Sequence, residues 1–294
     1  MKRQRSIIAI ALLLLAAAAP MPEARSAAAS GEDAGAQALP AGTRAIRDVA
    51  YGPDPRQRFD VYLPPAARRA PAILLVHGGS WNFGDKDHPG LIPNKAGYWL
   101  PKGYALISVN YRMLPDTPPR EQAQDVARAL AAVQDRAAAW GVDRDRIALM
   151  GHSAGAHLVA VLAASPEWLR EAGAAPPRGA VLLDSAAYDV ERLMKGPHPR
   201  LYDRAFGADA AAWRAVSPYA LLTRRSLPML AVCSTRHVMA SCAQARAFER
   251  KAAGLGVRVE TLPQDLSHMQ VNRTLGEASA YTEKIAAFLR SLGV

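Results

Sequence analysis

The run Ile147-Ala148-Leu149-Met150-Gly151-His152-Ser153-Ala154-Gly155, continued by Ala156-His157-Leu158-Val159-Ala160-Val161-Leu162-Ala163-Ala164, decides how the chain folds. Its first four residues are a short apolar run of the kind that makes a buried parallel strand, and its last nine read as a buried helix. Between them lies Gly-x-Ser-x-Gly. In a strand-to-helix turn this pentapeptide makes a nucleophile elbow, because small residues two positions either side of the serine let strand and helix approach closely. Ser153 is then pushed outward at the head of a helix. There its Oγ can meet a base, and the Ala154 N–H can face a developing oxyanion with the helix N-terminus behind it.

Outward from the elbow, further apolar runs alternate with helical patterns. Ala72–Val76 predicts a central strand ending in His77-Gly78-Gly79-Ser80-Trp81, and Tyr104–Val109 the next, followed by Asn110-Tyr111-Arg112. Glu121–Trp140 has apolar residues at helical spacing (Val126, Leu130, Val133) and stops near Gly141. Ala45–Tyr51 and Arg58–Tyr62 read as antiparallel edge strands around the turn Gly52-Pro53-Asp54-Pro55. Downstream, Ala180–Leu183 is a strand that terminates at Asp184. Met229–Val232 and Val257–Leu262 complete the set, with helices over Ala243–Ala253 and Ala278–Leu292. This alternation predicts an α/β fold with a mostly parallel central sheet flanked by helices. The long connection Ser185–Leu227 reads as a small cap over the site.

A serine hydroxyl attacks only when a base takes its proton. Of seven histidines, His268 follows the last strand at the sheet edge where the elbow also lies, and it is the expected base. His152 lies inside the elbow, His157 on the helix, and His77 shapes a loop. The two glycines of His77-Gly78-Gly79 let backbone N–H groups turn into the site, so Gly78 and Gly79 with Ala154 are the expected oxyanion hole.

With His77-Gly78-Gly79-Ser80-Trp81, Asn110-Tyr111-Arg112, Gly151–His157 and Leu266-Ser267-His268 in place, the chain resembles the α/β-hydrolase-fold carboxylesterases. The group is that of hormone-sensitive lipase, bacterial feruloyl-type esterases and kynurenine formamidase, and the resemblance spans about residues 45–290. It implies hydrolysis of small-molecule carboxylic esters through an acyl-enzyme, with no metal and no organic cofactor. An aryl formamide or amide hydrolase on the same residues, and a weakly active binding protein on this scaffold, are the alternatives.

In that family the acid usually sits in the loop after the penultimate strand. Here that loop, Cys233–Cys242, contains no carboxylate. Asp184, which closes the preceding strand at the same edge, is the expected replacement, as in lipases similar to pancreatic lipase; a cap or turn role is the competing one. Asp265 and Asp189 are weaker candidates, and a degraded triad is the further possibility. Asp125 reads as structural, paired with Arg112.

Lys2, Arg3 and Arg5 followed by an apolar run over Ile7–Ala19 predict a secretory signal peptide over residues 1–26, cut after Ser26. An Ala/Gly/acid tail over 27–41 is expected to be disordered, and 42–294 to form the α/β-hydrolase domain. Removing four basic residues and Glu23 with the signal lowers the formal charge from +10 to +7. The arginines are scattered and no nucleic-acid motif appears, so a solvated basic surface is expected rather than a nucleic-acid interface. After signal cleavage no stable membrane anchor is expected, and the destination is the periplasm or the exterior. In an oxidising compartment Cys233 and Cys242, nine positions apart, are expected to close a disulfide.

Overall fold

Leucine- and β-branched-rich runs build the strands, and from Ala70 onward each strand is followed by a helix. The computed structural model describes residues 39–237 and 239–294, so the expected signal peptide and all but the end of the tail lie outside the described residues. In chain order the elements are β1 (Arg44–Ala50), β2 (Arg58–Leu63), β3 (Ala70–Val76), α1 (Pro93–Trp99), β4 (Ala105–Val109), α2 (Pro119–Arg136), β5 (Val142–His152) and α3 (Ala154–Ala164). They continue with α4 (Glu167–Glu171), β6 (Ala180–Leu183), α5 (Val190–Lys195), α6 (Arg200–Phe206), α7 (Ala210–Ala215) and α8 (Pro218–Leu221). The chain closes with β7 (Met229–Ser234), α9 (Ser241–Gly254), β8 (Val259–Gln264), α10 (His268–Arg273) and α11 (Ala280–Ser291).

The strands form one sheet in the order β1-β2-β4-β3-β5-β6-β7-β8. β1 and β2 enter antiparallel, and every pairing from β4 onward is parallel. Side chains alternate across the sheet with period two. Ala72, Leu74 and Val76 of β3 pack on the face covered by α2 and α3, whereas Ile73 and Leu75 pack on the face covered by α1 and α11. Both faces are therefore dry, which is why the strands read as continuous apolar runs.

Several boundaries differ from the sequence expectation. α2 begins at Pro119, where a proline in the first turn costs no hydrogen bond, and ends at Arg136 before a single tight turn over Ala138–Trp140. β5 reaches back to Val142, which pairs with Ala70. The charged residues Asp143-Arg144-Asp145-Arg146 concealed that extension. β8 begins at Val259 rather than Val257.

All eleven residues of α3 are buried. A helix apolar on every side belongs inside a layer, and its close seat against β3 and β5 depends on two glycines. A Cβ on Gly155 would stand 2.3 Å from the Val76 carbonyl oxygen, and one on Gly151 2.3 Å from that of Gly155. Truncating a side chain such as Leu162 here would cost about 2–5 kcal/mol, since nothing can collapse into the gap.

α5 to α8 lie between β6 and β7 as the expected cap. Tyr202 and Phe206 of α6 pack edge-on to Trp81, at 5.8 and 4.9 Å between ring centroids. The end of β7 is joined to the start of α9 by the Cys233–Cys242 disulfide, with 5.0 Å between Cα atoms. At the sheet's first edge, β1 carries an irregularity between Ile46 and Val49 around Asp48, whose φ is +54°. Among the described residues no helix is long and apolar enough to cross a membrane.

Candidate active site

The site is built where β5, β6 and the segment after β8 present their carboxyl ends on one edge of the sheet. Ser153 follows β5 with φ +55° and ψ −117°, a conformation rarely held by a side chain other than glycine, and it is pinned there by its N–H donating to the Leu183 carbonyl at 2.9 Å. His268 follows β8. It is the first residue of α10, behind a capping box in which Ser267 and Gln270 exchange side-chain and backbone bonds. This cap orients the ring. His268 Nε2 lies 3.0 Å from Ser153 Oγ, and His268 Nδ1 lies 2.6 Å from Asp184 Oδ2.

Asp184 closes β6 and is fully buried, with φ +56°. Its Oδ1 accepts from the Ser234 N–H at 2.7 Å and from the Ser241 hydroxyl at 2.6 Å. Gly78 and Gly79 border the same cavity as Ser153. A Cβ on Gly78 would stand 3.0 Å from the Ser153 Cβ, so only glycine brings the backbone this close to the elbow. Among the described residues the N–H groups of Gly78, Gly79 and Ala154 have no hydrogen-bond acceptor.

Residues 59–172, from β2 to just beyond α4, match the BD-FAE family model. The fold is that of the α/β-hydrolases. The chain is similar to esterase LipQ of Mycobacterium tuberculosis, with 29% identity over 79% of this chain and 60% of that protein. It is similar also to kynurenine formamidase of Danio rerio, with 31% identity over 52% of this chain and 49% of that one. The chain spans between about a quarter and three fifths of the length of the curated relatives it matches. Among solved structures, a truncated carbohydrate esterase from gut microbiota superposes with a TM-score of 0.72 at 17% identity, covering 85% of this chain and 96% of that one.

Burial alone would raise the Asp184 carboxyl's pKa. The imidazoles of His237 and His268 and the donors Ser234 and Ser241 outweigh it and hold the group well below the usual carboxylate range. It is therefore an anion at neutral pH. His237 Nδ1 stands 3.3 Å from Asp184 Oδ2 but is misaligned and makes no hydrogen bond. The His237 ring stacks on His268 at 4.5 Å. Asp184, His237 and His268 could together offer three ligand atoms to a cation. Seating one would displace the 2.6 Å bond on which His268 depends.

The remaining candidates stand elsewhere. Asp265 forms an exposed ion pair with Arg236 at 2.7 Å, Asp189 accepts from the Arg192 N–H as the cap of α5, and Asp125 is buried against Arg112. Two cavities of about 240 Å3 each meet at Ser153 and His268. One opens between Phe83 and Met269, the two exposed large apolar side chains among the described residues, and the other lies under Tyr202 and Leu201 of the cap. A larger cavity, about 970 Å3, lies between α5 and α9 and is lined by none of Ser153, Asp184 and His268.

The sequence did not reveal what the other histidines do. His157 receives the Trp81 indole N–H on Nδ1 at 3.2 Å and gives its Nε2 proton to the Val216 carbonyl at 2.8 Å, linking the His77–Trp81 loop to the cap. His152 Nε2 contacts the His268 carbonyl at 2.9 Å. His77 stacks on Tyr111 at 4.4 Å. Burial pushes the pKa of His77 down to about 4, of His152 to about 3 and of His157 to about 4.

All three folded values lie below the unfolded value, so the unfolded chain binds more protons. The contribution of these three rings to stability is therefore complete above pH about 6.5 and falls as pH drops towards 4. Each histidine contributes up to about 1.4 kcal/mol per pH unit. His198, raised by its bond to Asp203, acts in the opposite sense at the surface. The urea midpoint should fall steeply between pH 7 and 5; a midpoint constant over that range would mean these rings are not buried neutral.

Proposed function

We propose that this α/β-hydrolase is a serine esterase that cleaves small-molecule carboxylic esters through an acyl-enzyme. The unbroken contact chain from Asp184 Oδ2 through His268 to Ser153 Oγ, at 2.6 and 3.0 Å, carries the reading. Ser153 Oγ attacks the ester carbonyl carbon while His268 Nε2 takes its proton, and the N–H groups of Gly78, Gly79 and Ala154 receive the developing oxyanion. His268 then hands the proton to the leaving alkoxide. Water repeats the sequence on the acyl-enzyme and frees Ser153. Asp184 keeps the Nδ1 proton in place and stabilises the imidazolium without taking that proton.

Similarity to a kynurenine formamidase supports one second reading, cleavage of an aryl formamide by the same groups. A panel of p-nitrophenyl esters against N-formyl aryl amines separates the two. Labelling of Ser153 by an organophosphonate reports whether the nucleophile is activated at all. Faster turnover of the formamides would replace the esterase reading, and absence of both turnover and labelling would leave only a binding role.

The same proposal includes export to the periplasm or exterior, supported by the basic-then-apolar run from Lys2 to Ala19 and by the Cys233–Cys242 disulfide. Cell fractionation that recovers an unprocessed chain with two free thiols in the cytoplasm would overturn it.

A further inference from the structure

The loop in which the resemblance leads one to expect an acid supplies hydrogen bonds to an acid elsewhere. Asp184 presents Oδ2 to His268, and both donors on Oδ1, the Ser234 N–H at 2.7 Å and the Ser241 hydroxyl at 2.6 Å, come from the segment between β7 and α9. These two serines are the residues next inside Cys233 and Cys242, so the bridge closes directly behind the two donors. Ser241 is fully buried and has one proton to give; its other neighbour, the Ser234 carbonyl, is farther away at 3.3 Å. Ser234 Oγ in turn donates to the Leu266 carbonyl at 2.6 Å, in the segment that leads to His268. One short loop thus touches the supports of both the acid and the base.

A carboxylate on a single bond can turn, and the oxygen that faces the imidazole is decided by what holds the other one. A donor lost from Oδ1 frees the group to turn, and His237 Nδ1 waits 3.3 Å from Oδ2 as a competing neighbour. A second carboxylate in this loop would face Asp184 across the same few ångströms, where two like charges disfavour each other's ionisation. An acid at the end of β6 and a carboxylate-free donor loop after β7 are therefore two halves of one arrangement.

We propose that Ser241, held in place by the Cys233–Cys242 bridge, is a positioning residue that locks the Asp184 carboxylate onto His268. The inference rests on the esterase reading above. In the full chain with the bridge intact, Ser241→Ala should lower kcat for a p-nitrophenyl ester about tenfold and leave KM within about twofold, because the lost bond is one to an ionised group. In an Asp184→Asn background the same change should lower kcat by less than about twofold, since the Ser234 N–H alone still holds the amide oxygen and the NH2 group facing His268 is no acceptor for the Nδ1 proton. Rates are taken per phosphonate-titrated Ser153.

A kcat within twofold of wild type for Ser241→Ala, or an equal fold-loss in both backgrounds, would overturn the inference; the second result marks a residue that only supports the fold. A wild type that neither turns over esters nor takes a phosphonate defeats the esterase reading instead. A measurement independent of turnover covers that case. The far-downfield proton resonance of the short His268 Nδ1–H bond to Asp184 should shift or broaden in Ser241→Ala, and an unmoved resonance overturns the positioning role.

Discussion

Ser153→Ala is expected to lower ester turnover by about six orders of magnitude while leaving the fold intact. The Oγ atom has one hydrogen-bond partner, His268 Nε2, and sits at a half-buried turn, so its removal costs little packing. Stability should change by no more than about 1 kcal/mol, the usual range for a substitution that opens no cavity. Some acceleration over water, about 10³–10⁴-fold, should survive, because the three oxyanion donors are backbone N–H groups untouched by the change. Thermal melting alongside a saturating-substrate assay measures both parts. A variant that keeps more than about a hundredth of wild-type turnover would mean that another group attacks the ester.

The second large effect is at the acid. Asp184→Asn should lower kcat by about three to four orders of magnitude with little change in KM. The new amide oxygen can still accept from Ser234 and Ser241, which leaves the NH2 group facing His268 Nδ1. The imidazole must then carry its proton on Nε2, where it can no longer receive one from Ser153. Asp265→Asn and Asp189→Asn should stay within about twofold of wild type, because one answers Arg236 at the surface and the other caps α5. A kcat for Asp184→Asn within about tenfold of wild type would remove Asp184 from the proposed triad.

What could be read from the sequence was what composition and spacing encode locally. The apolar runs at Ala72–Val76, Ile147–Met150 and Ala180–Leu183 are buried on both faces, and the turn after each had to bring polar residues to one edge of a parallel sheet. That is enough to place Ser153, Asp184 and His268 at the same end. Charged residues hide the first half of β5, whereas the capping box that turns His268 into a helix start is local, with Ser267 and Gln270 both visible in the sequence. The chain from Trp81 through His157 to Val216, and the bond from Ser241 to Asp184, span 76, 59 and 57 residues of sequence. Contacts of that separation leave no periodicity behind. The adjacency of Ser241 to Cys242 was the one local clue, since a disulfide beside a site residue rigidifies its neighbours.

The irregularity around Asp48 bears on how copies of this protein meet one another. An open sheet ends in two rows of unpaired backbone groups, and a flat apolar end strand invites another molecule to extend it. β1 offers no such template: its side chains are largely solvated, Arg44 and Arg47 lie along it, and the backbone turns out of plane where Asp48 takes its positive φ. At the far end, β8 contains Pro263, which has no N–H to give, and the charged pair Arg258 and Glu260 stands at its start. Self-association by strand addition is discouraged at both borders, so the protein can be concentrated without its sheet acting as a seed for aggregation.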